Sequence, residues 1–263
     1  MLLVLALLVA VAAAFSPSPR LRLLNRVAAT EVDVALNQYV EADALPWRLH
    51  ILDEETLYPA CLHLVDCFYK EPTALSSRLL DAKSPFEKSV FEFLLHWHYQ
   101  LTKLDTLGVY FLGFLTRVKG RLKNPTLSMS SDSLVILASE KNDDSAIVGL
   151  VELCLEEPNG RLTTPIPMTK NGVLNPILEP YLCNLSVNPS HRGKGLGKVL
   201  CNVGENIVKN VWNKDVIYLH VEQDNAAAKL YESIGYELIA NYMSPWDRKM
   251  NSMEKINYYK KLL

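Results

Sequence analysis

The chain has 263 residues, of which 49% are apolar and 21% charged, and its formal net charge is −2. Such a composition belongs to a globular protein with one large core or two small ones. The first thirty residues hold Arg20, Arg22 and Arg26 and no acid, so the remainder carries −5. A mildly acidic body has no basic footprint for nucleic acid, and any anionic ligand must be held by a local site.

Residues Met1–Ala14 are uninterrupted apolar sequence. As a helix they would span about 21 Å, short of the ~30 Å hydrocarbon core, so they read as the apolar part of a signal peptide ending at Ala12–Ala14. The stretch Phe15–Thr30 contains Ser, Pro and Arg without a carboxylate, the composition of a transit peptide. The pair resembles the two-part presequence of secondary plastids, which predicts plastid localisation; secretion is the alternative. Residues 31–45 form a linker or short lead-in helix. The five cysteines include no Cys-x-x-Cys pair and are odd in number, which predicts buried thiols in a reducing compartment. His96 and His98 stand at i, i+2 on an expected helix and point apart, so no metal site is predicted.

In the body, Trp47–Ile51 reads as a strand and Leu57–Tyr69 as a helix stopped by Pro72. A long helical region follows over Ser84–Leu122. Phe86, Val90, Phe93, Leu94, Trp97, Leu101 and Leu104 form one apolar stripe at helical spacing, expected to face the core. Gly108 and Gly113 are expected to divide this region. Lys103, Asp105 and Arg117 interrupt it too often for a membrane span. Ser133–Ser139 and Ala146–Leu155 form a hairpin pattern with a loop of more than two residues. The Pro-rich stretch Glu157–Pro180 is expected to be an extended connection rather than a central element. From Tyr181 the pattern becomes strand–helix–strand–helix over Tyr181–Val187, Leu196–Val211, Val216–Glu222 and Asn225–Ile234, with terminal strands at Tyr236–Asn241 and Ile256–Leu262. Antiparallel strands followed by a βαβ unit predict a mixed α/β sheet, in one domain over 46–263.

The run Arg192-Gly-Lys-Gly-Leu-Gly-Lys198 lies between the strand and the amphipathic helix. Three glycines in five residues let a ligand approach the backbone and permit positive φ. The first N–H groups of a helix have no internal partner, and its dipole end is positive, so a diphosphate suits both. Arg192, Lys194 and Lys198 add positive charge. A nucleoside-triphosphate loop is excluded because Arg192 and Val199 stand where it needs Gly and Ser/Thr. The dinucleotide fingerprint fails at Lys198.

Arg192-x-x-Gly195-x-Gly197, preceded by Leu185-Ser-Val-Asn-Pro189, resembles the acetyl-CoA motif of the GNAT acetyltransferase superfamily. Asn225-Ala-Ala-Ala-Lys-Leu-Tyr231-Glu-Ser-Ile-Gly235-Tyr236 resembles its second signature, about 33 residues further on. The resemblance is sharp over residues 181–239 and fainter back to about Trp47. It implies a GNAT-like fold in which the fourth and fifth strands splay apart. It also implies acetyl-CoA as substrate, held by Leu185, Ser186, Val187, Arg192, Gly193, Lys194, Gly195, Leu196, Gly197 and Lys198. The family places Asn seven residues before the Tyr; here Asp224 is seven before it and Asn225 six, so either contacts the pantetheine arm. Asp224 is also a suitable helix N-cap.

Family resemblance further implies that Tyr231 is the general acid at the CoA sulfur and that a strand N–H polarises the thioester carbonyl. His220 is a candidate base, with Glu222 two residues on and on the same strand face. Glu179, just ahead of the fourth strand, is a third. The long helical region and the Pro-rich insert are similar to plastid-type members, which acetylate protein N-termini and lysines. The chain is therefore expected to acetylate a protein or peptide amine. A small-amine acetyltransferase and a non-catalytic CoA-binding module are the alternatives.

Overall fold

A computed structural model describes residues 45–69, 84–123, 133–156, 179–239 and 255–263. The expected presequence, residues 31–44 of the linker, Pro72 and the Pro-rich stretch as far as residue 178 lie outside the described residues. The elements are β1 (Trp47–Ile51), α1 (Leu57–Phe68), α2 (Pro85–Lys123), β2 (Ser133–Glu140), β3 (Asp143–Glu156) and β4 (Glu179–Val187). They continue with α3 (Leu196–Asn210), β5 (Val216–Glu222), α4 (Ala227–Ser233), β6 (Glu237–Leu238) and β7 (Ile256–Leu262).

Among the described residues the strands form one mixed sheet in the order β1-β2-β3-β4-β5-β7-β6. Its parallel neighbours are β4 and β5, joined through α3. Parallel strands need such a crossover, whereas the antiparallel β2–β3 pair needs only a tight turn. One face of the sheet, with Leu153, Leu182, Ile217 and Leu219, packs against Leu196, Leu200, Val203 and Ile207 of α3. The other face, with Val135, Leu137 and Leu150, is covered by Leu57, Cys61 and Leu64 of α1 and Phe114 of α2. This is the mixed α/β arrangement read from the sequence.

Several expectations are corrected. The long helix is a single 39-residue element, undivided at Gly108 and Gly113. A mid-helix glycine costs about 1 kcal/mol, and the packing around Leu107, Phe114, Leu115 and Val118, all buried, offsets it. The apolar stripe does not face the core: Phe86 is 79% exposed, Phe93 62% and Leu101 50%. At 1.5 Å per residue α2 is about 58 Å long and α1 about 18 Å, so α1 supports only part of it. The contacts of α1 and the residue after it reach as far as Tyr99, Thr102 and Lys103. The β2–β3 hairpin is tighter than expected, because both strands extend to leave only Lys141 and Asn142 between them. Pro180 does enter a central strand. It sits one residue before β4 first pairs with β5 at Tyr181, so its missing N–H breaks no bond of that ladder. All five cysteines are free thiols, four of them buried and Cys67 partly so.

Candidate active site

Strand β4 organises the site. Its ladder with β3 slips between two pairs: Leu150 lies opposite Ser186, but Glu152 lies opposite Cys183. One extra residue is thus inserted in β4, and Asn184 takes a φ of 52°, the signature of a bulge. On the other side β4 pairs with β5 only at Tyr181–Tyr218 and Leu182–Leu219. Beyond Leu182 the two strands part. The peptide groups expected to face the cofactor, at Leu185, Ser186 and Val187, lie in this splayed half. Leu185 and Val187 pack on the α3 side.

The glycine loop continues directly from the splayed strand. Asn188 accepts from the Ser190 N–H and starts a 3-10 turn at Pro189–His191. Arg192 Nε donates to the Val187 carbonyl at 3.0 Å, which ties the loop back to the end of β4. Gly193 and Gly195 have φ of 75° and 88°, and a Cβ on either would meet nothing within 4 Å. These two glycines are therefore required by backbone conformation. At Gly197 a Cβ would lie 3.1 Å from Leu230 Cδ2, so α4 packs closely on the first turn of α3. Gly195 gives α3 no side-chain cap. The first bond into the helix runs from Val199 N–H to the Gly195 carbonyl, which leaves the N–H groups of Leu196, Gly197 and Lys198 without an i−4 acceptor. Arg192, Lys194 and Lys198 are exposed around them. Unsatisfied donors, a positive dipole end and three cations suit a diphosphate.

Tyr231 lies on α4 and is buried against Tyr236 and Tyr259, with ring centroids 5.7 and 6.5 Å away. Burial pushes its phenol well above the usual range, helped by the Cys201 and Cys183 thiols. The phenol is thereby held in its protonated form. His220 on β5 places Nδ1 2.8 Å from the Tyr181 hydroxyl, and burial pushes its pKa down to about 4. Glu222 is exposed at the end of the same strand, and Glu179 at the start of β4 pairs with Lys214 at 3.7 Å. Asn225, not Asp224, supplies the turn into α4: its Oδ1 accepts from the Ala227 N–H at 2.9 Å. Asp224 is exposed.

Two residues beside the site are absent from the sequence-based set. His63 on α1 places Nε2 3.0 Å from Ser186 Oγ, and both residues are buried. Glu152 on β3 is fully buried and accepts from Asn184 Nδ2 at 2.6 Å. Their only signal in the sequence is a polar residue at an apolar position. His63 stands on the core face of α1, and Glu152 interrupts the apolar run of β3.

The Acetyltransferase (GNAT) family model matches residues 116–236. Over these residues the chain is similar to that family. The match begins within α2 and ends at Tyr236, and it takes in the bulged β4, the glycine loop and Tyr231. A curated relative, "GCN5-related N-acetyltransferase 5, chloroplastic" of Arabidopsis thaliana, is 27% identical over 103 residues, which is 39% of this chain and 30% of the relative. Among solved structures, the PaiA N-acetyltransferase of Thermoplasma acidophilum in complex with coenzyme A is 16% identical, with a TM-score of 0.45. It aligns over 83% of this chain and 100% of its own. A spermidine N-acetyltransferase SpeG chimera from Vibrio cholerae and hSSAT is also 16% identical, with a TM-score of 0.43, over 83% of this chain and 96% of its own. Among the described residues no group of three or more His, Cys, Asp or Glu could hold a metal ion. None of the described helices is long and apolar enough to cross a membrane.

Proposed function

We propose that the protein transfers acetyl from acetyl-CoA to an amine, with protein α-amines and lysine side chains as acceptors. The observation that carries this reading is the parting of β4 from β5 beyond Leu182, directly ahead of a loop that leads into an uncapped helix start. The diphosphate lies on the N–H groups of Leu196–Lys198, and the pantetheine arm runs into the gap between the strands. The thioester carbonyl is then within reach of an amide of the splayed half of β4.

The acceptor attacks as a free amine. A free lysine has a pKa near 10.4 and an α-amine near 8, so α-amines present more of the reactive form at neutral pH. The C–N bond forms, the carbonyl oxygen takes the negative charge, and an amide N–H among Leu185–Val187 stabilises it. The C–S bond then breaks, and Tyr231 gives its proton to the departing thiolate. Once the new bond has formed, the nitrogen's extra proton is far more acidic than that of the free amine, so a weak base suffices. His220, neutral and bonded to Tyr181, passes that proton to water, with Glu222 at the strand end as the second acceptor. The plastid address and the protein acceptor rest on the presequence pattern, on the resemblance to plastid-type members and on the name of the Arabidopsis relative. Titration calorimetry with coenzyme A, followed by incubation with labelled acetyl-CoA and a panel of peptides and small amines, tests the reading. Heat of binding and labelled peptide are expected; no heat with folded protein would end it.

A further inference from the structure

The bulge of β4 is anchored from both faces of the sheet over three consecutive residues. Asn184, at a φ of 52°, donates its side-chain N–H to Glu152 at 2.6 Å. Leu185 packs into the core on the α3 side. Ser186 places its hydroxyl 3.0 Å from His63 Nε2, a contact between residues 123 apart in sequence. The Cys67 thiol, one turn further along α1, lies 3.6 Å from the same nitrogen. This segment has no β5 partner to fix it, because the parallel ladder ends at Leu182. Only the β3 ladder, itself interrupted by the bulge, holds these peptide planes. Dipoles aimed at a developing charge are effective only when they are held in place beforehand.

We infer that His63 and Glu152 are positioning residues which, through Ser186 and Asn184, fix the orientation of the β4 amides that meet the thioester oxygen. Neither touches substrate. His63 acts from α1, whose Cys67 also lies beside Arg192 of the glycine loop, and Glu152 acts from the neighbouring strand. The inference rests on the proposed acetyl transfer and assigns to the α1 side a part in the chemical step.

The discriminating measurement is the split between turnover and acetyl-CoA binding in the full chain. An interaction that matters only once charge develops lowers kcat and leaves substrate affinity alone. His63→Leu is expected to lower kcat about tenfold or more with acetyl-CoA affinity within about twofold. His63→Gln, whose side-chain amide N–H₂ can stand where Nε2 stands, is expected to recover most of it. Ser186→Ala should lower kcat in the same way, and the double variant should lose no more than His63→Leu, because the hydroxyl contact removed in Ser186→Ala is one that His63→Leu already removes. Asn184→Gly keeps the positive φ available and removes the second anchor, so it is expected to lower kcat in the same way. Unchanged kcat in His63→Leu, additive losses in the double variant, or a loss that tracks a lowered melting temperature and is not recovered by Gln would each overturn the inference. Failure of the unaltered chain to bind coenzyme A would instead sink the proposed function, and calorimetry on that chain separates the two.

Discussion

At the scale of single residues, Tyr231 separates chemistry from packing most sharply. Its ring is part of the core between Tyr236 and Tyr259, and Phe fills the same space. Its hydroxyl is held protonated by burial and by the nearby Cys201 and Cys183 thiols. Tyr231→Phe therefore keeps the shape and deletes only the proton. Turnover is expected to fall about 100-fold, within the range general acids contribute, while acetyl-CoA affinity stays within about twofold. Steady-state kinetics beside calorimetry checks both; near-normal turnover would leave Tyr231 with packing alone. Residue type and spacing made Tyr231 and the glycine loop readable, because both lie in short contiguous signatures. His63 and Glu152 were not readable. Their roles depend on partners 123 and 32 residues away, brought together only by packing α1 on β4 and by the slip in the β3–β4 register.

At the scale of elements, strands were more legible than the surroundings of helices. The expected bounds of β1, β5 and β7 coincide with those observed, because each is a short run rich in β-branched and aromatic residues. Periodicity identified α2 but not what its apolar stripe meets. An i, i+3/i+4 pattern reports that one face is apolar, whereas burial depends on whether another element reaches it. The contrast predicts two unequal substitutions in one helix. Phe114, 1% exposed and packed with Cys61 and Leu64 of α1, should cost about 3–5 kcal/mol as Phe114→Ala. Phe93, 62% exposed with Trp97 as its ring neighbour, should cost no more than about 1 kcal/mol as Phe93→Ala. Urea unfolding of both variants measures this, and equal losses would mean that the stripe is covered in solution.

For the whole molecule, three imidazoles, His63 buried and His50 and His220 partly so, sit where loss of solvent is the largest influence on each. His50 on β1 and His63 on α1 are held below the usual histidine value, and His220 on β5 is pushed down to about 4. The carboxylates of Asp144 and Asp53 pull His50 partly back up, while Arg48 lowers it. In the unfolded chain each titrates near 6.5. Below that pH the unfolded state takes up protons that the folded state refuses, so stability falls as pH falls. The loss begins near pH 6.5 and continues to about pH 4, where His220 itself protonates in the fold. For His220 alone it amounts to about 3 kcal/mol at most; His50 and His63 act in the same direction. Because His50 and His220 lie on strands of one sheet and His63 on the helix α1 packed against it, protonating any of them weakens the same cooperative unit. The urea midpoint should therefore drop steeply between pH 6.5 and 4, and His220→Gln should flatten that part of the curve while leaving the region above pH 7 in place. A midpoint that stays level down to pH 4.5 would show that water reaches these rings and that the sheet is more open at its centre than its packing implies.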